Sequence, residues 1–393
     1  MPLGDARPWL YRPDGGVLER LEWSTDVIEA FDASEQRIRL LATPNRYFEF
    51  EFTVSGRDRR GAENTLHVGQ PGLWAMPVWM DSQVLAATLA SGSLSISIDT
   101  TTRDFRAGGM AMLYSDPSTF EVVDIDSLTG STLTLSSSTV LTWPAGTIVA
   151  PLRIARMAEE LHLARFTGDD SYGRVRFKCT EACAWTAAAD GTTYRGFPIL
   201  ASAPNWTQDV DQGYLRKLRT LATGTGPDFV DEAGSGAIML QSHRWLLDGR
   251  SQIDAFRQWL YARSGRLTAF WLPTFALDFK VTANIGSTDT TIDVEQAGYT
   301  VSLARGIGRQ DIRIELHSGT VYYRRITTSI EVSADVERLT INASLGAAVA
   351  ASEIRSVSFM SLSRLDADAA EISWSRNDVA EASLNTRAAR NDL

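Results

Sequence analysis

The sequence predicts a mainly β fold with some α (α+β), arranged as two tandem similar units. Each unit is expected to be a mixed strand/helix core with an inserted small all-β module. Three observations carry this. Runs of alternating apolar and polar residues, rich in aromatic and β-branched side chains, recur along the chain. Two long stretches rich in Ser, Thr, Ile, Val and Gly read as short strands separated by turns. Short segments of the first half also return, in the same order, in the second half. The chain has 393 residues and is 44% apolar, too long for one ordinary domain and long enough to bury a sizeable core.

Taken in order, Arg46–Val54 alternates aromatic and polar residues, which predicts a half-buried strand, with a counterpart near His243–Leu247. Ser251–Arg263 places Ile253, Phe256, Trp259 and Leu260 at helical spacing, with Gly265 as a stop signal. Ser251 is the expected cap, and Asp254 suits the first turn. The matching stretch in the first half, about 57–68, is polar and predicts a shorter helix. Beyond it, Pro77 and Pro273 place their segments at an edge or a bend. The stretches 85–157 and 282–360 predict the β-modules, with Ile96, Ile98, Val122, Ile125, Leu133 and Leu135 as core positions of the first. Gly173–Lys178 and Ala370–Trp374 predict the return strands.

The repeat rests on ordered pairs of short segments. Trp23–Val27 matches Trp206–Val210, Leu41–Thr43 matches Leu221–Thr223, and Arg46-Tyr47 matches Arg244-Trp245. Trp74–Pro77 matches Trp271–Pro273, and Gly92 with Asp99 matches Gly286 with Asp293. Leu133–Leu135, Leu163–Phe166 and Val175–Phe177 match Leu339–Ile341, Leu362–Leu365 and Ile372–Trp374. The expected division is therefore a first core over 1–84, an inserted module over 85–157, and a return strand and linker over 158–204. A second core over 205–281, a second module over 282–360 and a second return strand over 361–393 follow.

The motifs of common catalytic sites, HExxH, GxSxG and GxxxxGK[ST], are missing from the sequence. His67, His162, His243 and His317 are scattered, so no metal ligand set is expected. Cys179 and Cys183 are the only cysteines and read as buried free thiols, with a regulatory disulfide as the alternative. Asp124/Asp126 and Asp366/Asp368 lack the rest of a calcium loop. Gly224/Gly226 and Gly306/Gly308 lack the strand–turn–helix context of a phosphate cradle. No catalytic residue, cofactor or metal is expected. Trp and Arg are enriched together at protein interfaces, and the chain has 11 Trp and only three Lys among 38 basic residues. Trp74, Trp79, Trp271 and Phe275 are the expected interface residues.

The net charge of −10 argues against a broad nucleic-acid surface. No apolar run approaches the roughly 20 residues a membrane helix needs, so no membrane insertion is expected. The N-terminus has no signal-peptide pattern, and two cysteines build no secreted disulfide framework, so folding in a reducing cytoplasm is expected.

Trp23–Val27, Ser34–Arg37, Pro44–Phe50 and Trp74–Asp81 together resemble the tail-tip or tail assembly (distal tail or minor tail) proteins of long, non-contractile-tailed bacteriophages. Gly265–Pro273 with Asp278 is similar to the same group. The resemblance covers about 130 residues, mostly the two cores, and the second half lacks the Glu-Gln-Arg run. It implies a structural virion protein without catalysis. It further implies self-association in a ring, a trimer or a hexamer, between the tail tube protein and the tail hub or fibre proteins. The implied location is the tail tip of a virion assembled in the host bacterial cytoplasm. The alternative is a host-surface carbohydrate-binding module or adhesin that stacks exposed Trp on sugar faces.

Overall fold

The computed structural model describes residues 6–188, 191–206, 209–232, 236–302, 306 and 308–389. Thr207 and Gln208 of the Trp206 segment, and Ile307 between Gly306 and Gly308, lie outside them. The fold is mostly β, with 48% strand and 9% helix.

The strand order begins with β1 (Val17–Glu22), a hairpin of β2 (Thr25–Glu29) and β3 (Glu35–Arg39), and β4 (Asn45–Ser55). β4 forms because Phe48, Phe50, Phe52 and Val54 alternate with Glu49, Glu51 and Thr53, so one face buries and the other stays wet. α1 (Gly56–Gly69) and β5 (Trp74–Pro77) follow. Then come β6 (Ser95–Ser97), β7 (Met110–Asp116), β8 (Thr119–Thr129), β9 (Thr132–Leu135) and β10 (Ile148–Met157). β11 (Leu163–Arg165) and β12 (Asp170–Cys179) close the first half.

The second half starts with β13 (Asp211–Leu215), a hairpin of β14 (Leu218–Leu221) and β15 (Phe229–Glu232), and β16 (Ile238–Asp248). It continues through α2 (Arg250–Arg263), β17 (Phe270–Pro273) and β18 (Thr291–Glu295). β19 (Asp311–Leu316), β20 (Val321–Glu331), β21 (Val336–Ile341) and β22 (Ile354–Leu365) come next. β23 (Ala369–Arg376) and β24 (Val379–Ala388) end the fold.

The strands β11-β12-β4-β1-β23-β24-β16-β13 run side by side in that order, each antiparallel to its neighbour. The two halves meet in the middle, where Val17–Glu22 pairs with Ala369–Trp374. One large apolar core takes side chains from both halves, including Trp9, Phe52, Trp74, Trp245, Trp259 and Trp374. Two smaller cores are separate, one within 85–149 and one within 279–359.

α2 buries Ile253, Phe256, Trp259 and Leu260, the residues its periodicity marks. Its start differs from expectation. The cap is Gly249 at φ 89°, and Ser251 makes no capping bond. Asp254 instead accepts a hydrogen bond from Trp185 Nε1 at 2.9 Å. α1 is 14 residues long, as is α2, so the shorter helix expected there is corrected. Its apolar stripe is only Ala62, Leu66 and Gly69, which hid its extent.

Ile96, Ile98, Ile125, Leu133 and Leu135 are buried in the smaller core as expected. Val122 is not. Val123 points into that core, so its neighbour Val122 points the opposite way and packs against the large core.

Several segment matches shift register. Pro77 lies opposite Leu152 and Pro273 opposite Met360, so Trp74 stands three residues before its proline and Trp271 two. The two tryptophans therefore face opposite sides of their ladders and fall in different apolar clusters. Arg46 is the second residue of its strand, opposite Leu21, whereas Arg244 lies mid-strand opposite Ser383. Ile372–Trp374 does not return beside β16. It pairs with β1 and β24, and β24 is the strand beside β16.

Candidate functional site

The four aromatic residues singled out in the sequence lie inside the chain or half inside it. Trp74 is buried edge-on to Trp9 at 5.6 Å. Trp79 is buried against Tyr114 at 5.4 Å. Trp271 is fully buried and donates from Nε1 to the Tyr194 carbonyl at 2.7 Å. Phe275 is half-buried, at φ 55°, beside His243 and the Arg313 guanidinium. Of the eleven tryptophans, Trp206 alone is exposed, at 57%. The exposed large apolar side chains include Phe31, Phe166, Trp206 and Phe229, none of them among these four.

Two features stand out. The first is a buried ion network where the halves meet. Glu19 on β1 accepts hydrogen bonds from Arg46 Nε at 2.7 Å, Arg257 Nη2 at 2.8 Å and Trp374 Nε1 at 2.9 Å. Asp104 accepts from Arg153 Nε at 2.8 Å and Arg106 Nε at 3.0 Å, and also from Arg46. Glu19, Arg46, Asp104, Arg153 and Arg257 are at most 2% exposed. Burial alone would raise the Glu19 pKa, but Arg257 and Arg46 outweigh it and hold the carboxyl below its usual range. Burial likewise opposes the Asp104 charge, and Arg153 with Arg46 reverses it. Asp81, also buried, joins through Arg250 and the Asp104 backbone N–H. The network ties the first half to α2 and β23. Its paired, buried charges tolerate one arrangement of the two halves.

The second feature is an open edge at each end of the eight-strand order, with a hairpin beside each half. Among the described residues, β11 pairs only with β12, and β13 only with β16. The β2–β3 hairpin crosses from the first half onto the second. Its Glu35 carboxylate takes Nε and Nη2 of Arg364, both at 2.7 Å, and its Ala33 packs on Ile238, Met239 and Ala388. Glu29 pairs with Lys217 at 2.9 Å and with Arg387. Among the described residues the β14–β15 hairpin has no such seat, and every residue of its two strands is exposed. Leu218, Leu221, Phe229 and Val230 are 53–64% exposed there. A lone two-stranded hairpin is marginal in water. Unpaired edges with exposed apolar side chains are the usual mark of strand addition or assembly.

A groove of ≈ 650 Å³ runs beside the β11 edge, lined by Glu63, Asn64, Leu66, His67, Leu161 and Leu163 among others. Among the described residues no group of three or more His, Cys, Asp and Glu side chains is placed to hold a metal. Cys179 and Cys183 are both buried and free, with a hydrogen bond between them and burial holding the Cys179 thiol up. His243 is buried, neither ring nitrogen has a hydrogen-bond partner among the described residues, and burial pushes its pKa down to about 4.

The open edges fall in short strands, Leu163–Arg165 and Asp211–Leu215, whose alternation is too brief to mark an edge in the sequence. No protein-family model matches the chain, and no curated protein sequence matches it.

Proposed function

We propose that this chain is a non-catalytic structural protein of the tail tip of a long non-contractile-tailed bacteriophage, built as two similar units and self-associating in a ring between tail tube and hub. The single observation that supports it best is that the pairings of the first half have counterparts in the second. β1·β4, β4·β12 and β11·β12 answer to β13·β16, β16·β24 and β23·β24. β10 lies between β5, β7 and the end of β12 as β22 lies between β17, β19 and the end of β24. Within the inserted modules, β7·β8, β8·β9 and β9·β6 answer to β19·β20, β20·β21 and β21·β18.

Two like units in one chain suit a trimer that offers six similar surfaces, an adapter between six-fold and three-fold rings. The resemblance of Trp23–Val27, Pro44–Phe50 and Trp74–Asp81 to tail-tip proteins supports the virion setting. The experiment is antibody labelling of purified virions of the phage encoding the chain, read by electron microscopy. Label at the distal end of the tail is expected; virions without label overturn the reading.

A further inference from the structure

The internal junction between β1 and β23 joins the two halves of the chain edge to edge. In that junction β1 adds to the edge of β23, with Glu19 opposite Ile372. Glu19 and Leu21 turn inward, Glu19 reaches Arg257 of α2, and Trp23 lies edge-on to Tyr261 at 5.6 Å. The β2–β3 hairpin then lies over the outer side of β22 and β24, where Arg364 pairs in register with Arg387.

Each part of this junction has a counterpart that is open. β13 holds the place of β1: Glu19 lies opposite Phe48 and Phe48 opposite Phe177, as Gln212 lies opposite Gln241 and Gln241 opposite Thr386. β11 holds the place of β23: Leu163 lies opposite Gly173 as Ile372 lies opposite Ala382. The groove lined by Glu63, Asn64, His67 and Leu163 lies beside α1, where β1 packs beside α2 in the other half. On the outer side, Arg156 and Lys178 pair in register as Arg364 and Arg387 do. The β14–β15 hairpin starts three residues after Leu215, as the β2–β3 hairpin starts three after Glu22. That spacing puts Asp228 where Glu35 falls.

We infer that β13 and the β14–β15 hairpin of one copy dock on the β11 edge and the outer side of β12 and β10 of the next copy, head to tail. The register carries over from the internal junction: Gln212 of one copy faces Leu163 of its neighbour, and Tyr214 faces Leu161. Asp228 reaches Arg156 and Lys178 of the neighbour, opposite in charge as Glu35 is to Arg364. Tyr214 and Leu215, 56% and 38% exposed in the single chain, are covered. The junction is heterologous, because the two edges differ, so it propagates head to tail, as a closed ring or an open helix, and does not make a two-fold dimer. This inference rests on the reading of the chain as a ring-forming protein with two like units.

The test uses two full-length variants, Gln212→Cys and Leu163→Cys, mixed and mildly oxidised. A disulfide-linked dimer is expected from the mixture and from neither variant alone. A dimer from Gln212→Cys alone overturns the head-to-tail order. A mixture that gives none, while the wild-type chain sediments as an oligomer, overturns this junction and leaves the ring reading standing. A wild-type chain that stays monomeric at all concentrations overturns both. Independently, Asp228→Arg is expected to weaken association at least tenfold, with recovery when the neighbour carries Arg156→Asp. Loss without recovery overturns the Asp228–Arg156 pairing.

Discussion

Glu19 sits at the point where the two halves touch, and three donors converge on a carboxylate fully closed to water. Removing one partner of such a group leaves buried charges uncompensated. Glu19→Gln is therefore expected to cost about 3–5 kcal/mol, read as a lower denaturant midpoint with an unchanged slope. His243 supplies a second prediction. Burial lowers its folded pKa to about 4 from the usual 6.5, so the unfolded chain binds the extra proton between those values. Stability from this group is complete above about pH 6.5 and is lost as pH falls toward 4. His243→Leu is expected to flatten the stability curve across that window, and an unchanged curve would show that His243 is not its source. The surplus of Arg was plain in the sequence, but its destinations were not. Arg257 meets a carboxylate 238 positions away, and no local spacing encodes such a partner.

At the scale of elements, α2 and the β14–β15 hairpin stand at opposite extremes. α2 puts Trp259 into the large core against Phe270 at 4.9 Å, and truncation to Ala there is expected to cost about 3–5 kcal/mol. The hairpin buries no residue of either strand. In the isolated chain its amides are expected to exchange with solvent orders of magnitude faster than those of β4, in a hydrogen-exchange measurement. Slow exchange there in the monomer would mean that something within the chain already covers it. α2 was legible because Ile253, Phe256, Trp259 and Leu260 keep a helical period. α1 was legible in place and not in length, because Ala62, Leu66 and Gly69 give too thin a stripe. β4 was legible from alternation alone, since one of its faces is wet. β24 was not singled out, since Ala380, Ala382 and Leu384 alternate but offer little apolar bulk against the Trp374 strand nearby. Of the aromatic residues expected at an interface, Trp74, Trp79 and Trp271 are buried in the single chain and Phe275 is half-buried, since large apolar side chains are drawn inward first.

On the inferred junction, the whole molecule carries one contact inside itself and the two halves of the same contact at its ends. If the operation that takes the first unit to the second is repeated from chain to chain, assembly has two outcomes: closure or an endless helix. Six units closing one turn require three chains, a particle of about 130 kDa from a chain of 43.2 kDa. Mass photometry is expected to show that one discrete species above the association midpoint, with no growth as concentration rises. A ladder of masses would mean that the unit-to-unit rotation does not close. The net charge of −10 per chain opposes approach at long range, whereas the ladder and apolar contacts act at short range. Closing the ring is therefore expected to be easier near 0.15 M salt, where the Debye length is about 8 Å, than at 0.01 M, where it is about 30 Å. The Asp228–Arg156 pair acts only across its own contact and does not reverse the sign set by the net charge.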